Sequence, residues 1–310
     1  MVEELLKEIA SHGDMGSVVP FSRIEDIKRD IISIKNGDFS TDWINRIYNH
    51  LTEKDDRYIP KSTSFKPLSI ITVVMKNPKY LVQFQHKGRT SDFILPPVYI
   101  NFENKNEETL KYLTKYLNAE GFLVEMIPTI PQKLLAVHTG LGKYGRNNIC
   151  YNDEFGSYMQ IMSFISDIPA NESTMWYPLT RMEVCNSCHA CVTTCPMSAI
   201  DINRSLIDSD RCITYFNEND GAFPSWFSDV KPNSLFGCIK CQDCCPLNNQ
   251  FVQETETLAL FTEEETTEIL ETKAGENYSN PIYEKLLGIG ISVYYIKPEI
   301  LSRNLALLLM

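Results

Sequence analysis

Nothing in this chain restricts its fold more than the placement of its cysteines. Eight of the ten form one pattern: Cys185, Cys188, Cys191 and Cys195 ahead of Pro196, a lone Cys212, then Cys238, Cys241 and Cys245 ahead of Pro246. The first run reads C-x2-C-x2-C-x3-C-P, the spacing in which three thiolates hold one iron-sulfur cubane and the fourth reaches across to another. A second cluster is thus implied by the first run alone, and the second run supplies it. There the spacing departs from the first, because Cys241 is followed by Gln242, Asp243, Cys244, Cys245 and Pro246, so that either Cys244 or Cys245 can close the set. Exchange of ligands between the runs assigns Cys185, Cys188, Cys191 and Cys245 to one 4Fe-4S cluster. Cys195, Cys212, Cys238 and Cys241 then make the other. A chain with two such clusters moves electrons.

Other uses of cysteine explain less. A disulfide framework belongs to an oxidising compartment and usually to a small secreted chain, whereas this chain is long and shows no signal peptide. Zinc takes four thiolates from two C-x2-C pairs. It accounts neither for a third cysteine at the same step nor for a proline after each closing cysteine. Cys150 lies outside the array and reads as a buried thiol. His189, between Cys188 and Cys191, reads as a tolerated loop residue.

With 310 residues and 43% hydrophobic content, the chain can bury a full core, as one large or two smaller domains. The formal charge of -11 excludes a wholly nonspecific nucleic-acid binder, whose affinity rests on neutralising phosphates. Lysines and arginines at Lys143 and Arg146, and at Lys76, Lys79, Lys87 and Arg89, read as a solvated surface. The amino terminus is an acidic amphipathic helix without a signal core, and no apolar stretch is long enough to span a membrane. Thiolates and oxygen-sensitive clusters suit a reducing cytoplasm.

Along the chain, residues 1 to about 60 read as helical and polar. Leu68 to Met75, LSIITVVM, is an apolar β-branched run expected as a strand covered on both faces. From Phe93 the chain is extended around Pro96 and Pro97. Asn106 to Glu120 reads as a helix with Leu110, Leu113, Tyr116 and Leu117 on one face, ended by Gly121. FLVEMI returns as a strand, and this alternation suggests α/β layering. Gln132 to Thr139 is a short helix running into GLGKYGRNN, where Gly140, Gly142 and Gly145 permit a tight turn or close approach to a ligand. Those glycines follow a helix, which disfavours a dinucleotide fingerprint. Ser157 to Ile168 is another strand. The cluster segment is expected at 178–250 with short helices, and beyond it Thr262 and Glu265 form a capping box. A further helix is expected after Pro298.

The blocks GLGKYGRNN, FGSYM from Phe155, CNSCHACVTTCPMSAI, RCITYF from Arg211 and LFGCIKCQDCCP together resemble the epoxyqueuosine reductases and their relatives, the reductive dehalogenases. The terminal SRNLAL is also similar to that family. The resemblance implies an α+β protein in three parts. A nitroreductase-like α/β cobalamin-binding domain (1–177) would precede a two-cluster ferredoxin-like domain (178–250) and a C-terminal helical segment (251–310). It further implies base-off cobalamin bound near Gly140, Leu141, Gly142, Tyr144, Gly145, Arg146, Asn147 and Asn148, with electrons passing through both clusters to cob(II)alamin.

Two features separate the chain from the tRNA enzyme. The acidic proton donor expected about fourteen residues before the glycine segment falls at Met126, beside Glu125, and the chain stops without a helical-repeat extension. The catalytic acid is therefore unassigned. The expected activity is a cobalamin-dependent reductase of a small-molecule or modified-base substrate, with tRNA the lesser expectation, served by an external low-potential donor such as ferredoxin or flavodoxin. The alternatives are an epoxyqueuosine reductase acting on tRNA, and a noncatalytic carrier that reduces the corrinoid of a partner protein.

Overall fold

A computed structural model of the chain describes residues 1–35, 64–204, 206–225, 227, 230, 232–251 and 255–310. Its amino-terminal half runs α1 (Val2–Ser11), β1 (Met15–Pro20), α2 (Ile24–Lys35), β2 (Ser69–Lys76), β3 (Lys79–His86), β4 (Arg89–Leu95) and α3 (Phe102–Ala119). Then follow β5 (Val124–Met126), α4 (Gln132–His138), β6 (Lys143–Tyr144), β7 (Cys150–Tyr151) and β8 (Met159–Ser166). The short helices α5 (Ala190–Thr194), α6 (Ile213–Glu218) and α7 (Lys240–Asp243) precede β9 (Thr255–Phe261), α8 (Glu263–Glu271), α9 (Asn280–Gly288) and α10 (Leu301–Leu309). The fold is mixed α+β, as the sequence implies.

Two compact units share the chain. The first takes Met1–Lys76, Lys105–Cys188 and Arg204–Leu206; the second takes Asn77–Asn104, His189–Asn203 and Ile207–Met310. They interleave along the sequence, whereas the three segments read from the sequence are consecutive.

The first unit is built on a sheet of order β1-β2-β8-β5, antiparallel throughout. The apolar run expected as a strand is β2, buried at every residue except Lys76, because it has a partner on each edge. Val18, Ile71 and Phe164 align across three strands. Ile24, Ile27 and Ile31 of α2, spaced three and four apart, share a core with Leu134 and Leu135 of α4. Each such side chain contributes about 1.5–3 kcal/mol on burial.

Three differences from the sequence reading have physical reasons. The first sixty residues, read as helical, include a strand, β1; a Cβ on its Gly16 would stand 2.6 Å from Ile9 Cδ1, so the glycine lets α1 pack there. Residues 36–63 of that stretch, with the charged loop read near residue 55, lie outside the described residues. Helix α3 starts at Phe102 and buries Asn106 and Thr109 with Leu113 and Leu117, leaving Leu110 half-exposed. Asn106 Oδ1 accepts from Gln160 Nε2 at 2.5 Å and Thr109 Oγ1 donates to Lys105 O at 2.8 Å, so polar residues serve where apolar ones are expected. Finally, the expected α/β layering gives way to antiparallel pairing, because the strands flanking α3 belong to different sheets.

The second unit carries a sheet of order β4-β3-β9. Lys87 and Gly88, both at positive φ (50° and 70°), make the two-residue turn of the β3–β4 hairpin. Their amides donate to the Glu263 carboxylate at 2.6 and 3.2 Å. Strand β9 lies parallel to β3, so the C-terminal segment is not helical alone; Phe84 and Phe261 stack across that pairing at 4.8 Å. Thr262 caps α8 through the expected box, accepting from Glu265 N at 3.3 Å while Glu265 Oε2 accepts from Thr262 N at 2.8 Å. Pro97–Tyr99 forms a 3-10 turn where the proline pair ends β4.

Candidate iron-sulfur site

All ten cysteines are free thiols, and those of the array sit on turns and one-turn helices. Cys185 lies buried in the 3-10 turn Glu183–Asn186, Cys191 within α5, and Cys195 at the carboxyl end of α5. Cys212 is the residue preceding α6, Cys241 lies within α7, and Cys245 precedes the turn Pro246–Asn248. Helices α5 and α7 pack against each other in the second unit.

Cys188, Cys191 and Cys195 recur fifty positions on as Cys238, Cys241 and Cys245. The local backbone repeats with them: Cys195 has φ -67°, ψ 111° and Cys245 has φ -74°, ψ 124°, each ahead of its proline. Cys244 differs, with helical φ -81°, ψ -5°, and its Sγ lies 3.7 Å from Cys241 O. The counterpart of Cys185 in the second run is Leu235, fully buried and without a donor, so a fourth ligand has to come from elsewhere in the sequence.

Electrostatics brings that ligand in. Burial pushes the Cys212 thiol above its usual range and the Cys238 thiol up to about 11; the Cys195 sulfur raises both, and Cys212 raises Cys238 further. Three sulfurs from three segments therefore lie within electrostatic reach of one another. The bare Cys212 and Cys238 thiols resist ionisation, whereas an iron cluster that took them as thiolates would offset that cost. The donor set fits such a cluster. Among the described residues no group of three His, Cys, Asp or Glu side chains is placed to hold a metal ion. Ala199 N donates to Cys195 Sγ at 3.3 Å, a type of contact that tunes cluster potential.

The glycine segment lies in the first unit. Gly140 has φ +79° and a Cβ there would stand 2.7 Å from the Tyr177 ring; at Gly142 it would strike Cys150 Sγ, and at Gly145 the Tyr151 ring at 2.7 Å. All three glycines are thus used by the chain's own packing around the β6–β7 hairpin, and no cradle for a corrin can be read from their missing side chains. Leu141, Arg146 and Asn147 are buried, while Tyr144 and Asn148 are half-exposed. Cys150 is the buried thiol expected, pushed up to about 12 by burial.

Several charges expected at the surface are buried instead. Arg146 is 5% exposed and its Nη2 donates to Cys185 O; Tyr144 O accepts from Met182 N at 2.8 Å. The glycine segment therefore braces the turn of the first cysteine. Lys79, also 5% exposed, pairs at 3.0 Å with Asp243 between Cys241 and Cys245. Lys76, Lys87, Arg89 and Lys143 do face solvent. Glu125, half-buried on β5, accepts from Ser64 N and Oγ at 3.2 and 3.0 Å, so its carboxylate anchors a loop.

A part-buried pair in the second unit is not announced by local pattern: the Tyr99 hydroxyl donates to Glu218. Burial raises the Glu218 carboxyl, and the Tyr99 bond opposes that. The signal available was position alone, since Glu218 closes the helix that Cys212 opens.

Residues 184–248 match the 4Fe-4S double cluster binding domain family. The chain is 26% identical over 202 residues to an epoxyqueuosine reductase of Bacillus subtilis, spanning 63% of this chain and 51% of that protein. It is 34% identical over 122 residues to that of Aliivibrio fischeri, spanning 39% and 31%. The chain spans about half the length of the curated relatives it first matches. Among solved structures, the epoxyqueuosine reductase of Streptococcus thermophilus aligns at TM-score 0.64 and 19% identity over 99% of this chain and 80% of that one. An epoxyqueuosine reductase solved with an epoxyqueuosine-modified tRNA-Tyr stem loop aligns at 0.63 and 19%, over 100% and 82%. The chain is thus related in sequence to the epoxyqueuosine reductases, shares their fold, and carries within it a domain for two 4Fe-4S clusters.

Proposed function

We propose that this chain is an iron-sulfur oxidoreductase acting on tRNA, reducing epoxyqueuosine to queuosine. The observation that carries the reading is the cysteine array, matched over residues 184–248 by the double-cluster family, in a chain whose relatives are epoxyqueuosine reductases, one structural neighbour being solved with the modified stem loop. The small-molecule substrate expected from the sequence finds no support among these relatives. The reading of tRNA as substrate is the better supported.

Cys185, Cys188, Cys191 and Cys245 would hold one cluster, and Cys195, Cys212, Cys238 and Cys241 the other. The matching backbone of Cys195 and Cys245 supports Cys245 over Cys244 as the closing ligand. When bound, the clusters supply low-potential electrons one at a time. The chain's own share is to place Cys212 and Cys238 in partly buried positions and to hold Cys185 through Arg146. Opening an epoxide to an alkene takes two electrons and two protons and releases water. An external donor such as ferredoxin or flavodoxin would provide the electrons. Cobalamin as the final carrier rests on the resemblance of the sequence blocks.

The experiment is a deletion strain assayed for queuosine in tRNA, with the purified, anaerobically reconstituted chain assayed on epoxyqueuosine tRNA with and without cobalamin. Accumulated epoxyqueuosine and its conversion in vitro are expected. Unchanged queuosine together with no conversion overturns the reading.

A further inference from the structure

Helix α10 reaches the cysteine segments of the second unit through a chain of buried amides that ligand spacing does not explain. Asn304, 2% exposed, donates from Nδ2 to Asn217 O at 2.7 Å and to Leu235 O at 2.8 Å. Its Oδ1 accepts from the Arg303 guanidinium at 2.9 Å, and Arg303 Nη2 also donates to Phe216 O at 3.1 Å. One step nearer the cysteines, Asn217 Nδ2 and Ser234 Oγ both donate to Gly237 O, at 2.6 and 2.8 Å. Gly237 has φ +63° and a Cβ there would strike Tyr99, so the residue before Cys238 is fixed on both sides.

The topology of this network is specific. Phe216 and Asn217 lie in α6, the helix that Cys212 opens, whereas Leu235 and Gly237 lead directly into Cys238. Asn304 is bonded to both segments at once, so its amide sets how far one stands from the other. Asn217 Oδ1 is buried without a hydrogen-bond partner among the described residues. An unpaired buried acceptor costs stability, which argues that this network is kept for the geometry it imposes.

We infer that Asn304 is a positioning residue for the cluster held by Cys195, Cys212, Cys238 and Cys241, governing assembly and potential of that cluster and not of the other. The inference rests on the ligand assignment proposed above. Cluster-supporting residues that touch no metal commonly change metal affinity ~10–100-fold when removed.

The test uses the full chain, reconstituted anaerobically, with reduced-state EPR spectra and redox titrations as the readout. Cys212→Ser and Cys188→Ser mark the signal belonging to each cluster. Asn304→Ala is expected to keep its circular dichroism while the Cys212-dependent signal shifts in midpoint potential and is lost to a ferrous chelator roughly 10-fold faster. The Cys188-dependent signal is expected to stay as in the wild type. Ser234→Ala, which removes one bond to Gly237 O, is expected to move the same signal in the same direction by less, and it decides the matter should Asn304→Ala not fold. If both signals change alike, or neither does, the inference is overturned. If Cys212→Ser retains both signals, the ligand assignment fails first and the inference with it, a result distinguishable from failure of Asn304 alone.

Discussion

In the first unit, β2 is paired on both edges and buried along seven of its eight residues. In the second, α5, α6 and α7 have five, six and four residues, and α5 and α7 bury none. The sheet can close on apolar area alone, since a strand with two partners satisfies its amides as it buries its side chains. Helices of one turn cannot: they are below the length at which a helix sustains itself, and their side chains add little core. The second unit's own apolar core lies around its sheet and carboxyl-terminal helices; at the cysteine segments the buried amides of Asn217, Ser234 and Asn304, and thiolate ligation where clusters bind, would take its place. The contrast predicts that the first unit's sheet keeps its structure without a cofactor while the cysteine segments need one.

The largest effect that would break this contrast concerns iron. Wild-type protein is expected to hold about eight iron, as two cubanes require, and Cys212→Ser or Cys188→Ser about four, with turnover lost in each. Iron analysis and hydrogen exchange should agree: removal of the metal is expected to expose amides of α5 to α7 while those of β2 and β8 stay protected. Loss of protection in both regions together would end the distinction. Within the second run, Cys245→Ser is expected to cost one cluster and Cys244→Ser none.

Next in size is the sheet. Phe164→Ala, a fully buried residue on β8, is expected to destabilise the protein by about 3–5 kcal/mol. Anaerobic urea unfolding reads this, and iron per folded chain should not change. A smaller, pH-dependent effect belongs to Glu218. Its carboxyl is raised by burial, so the fold favours the neutral acid. The associated stability is present below the ordinary carboxylate range and falls as pH rises through the raised value. Glu218→Gln keeps an acceptor for Tyr99 and is expected to flatten that fall, measured as melting temperature against pH. The smallest is Thr262→Ala, expected to cost about 1 kcal/mol through the lost cap on α8.

Much of this arrangement is legible in the residues. Leu68 to Met75, Gln132 to Thr139, the box at Thr262 and the helix after Pro298 announce themselves locally, because period, caps and prolines act within a few residues. The cysteine array is legible for the same reason. What escapes is set by distant partners. Lys79 and Asp243 are 164 positions apart, and Arg146 reaches Cys185 over 39, so neither charge can be seen as buried before its partner is found. Strand β9 is hidden because its residues stay largely exposed and its pairing is with β3 far upstream. Likewise the three glycines read in sequence as a tight turn or a close approach to a ligand, and which side chains stand where their Cβ atoms would fall, Tyr177, Cys150 and Tyr151, shows only in the structure.

That parallel partnership of β3 with β9 also dictates an order of events during synthesis. Residues of β3 leave the ribosome well before every cysteine of the array, and β9 only after the last of them. The three-stranded sheet therefore cannot close until the whole array has been translated. Pairing of strands so distant in sequence is slow, so this sheet is expected among the last parts of the chain to close.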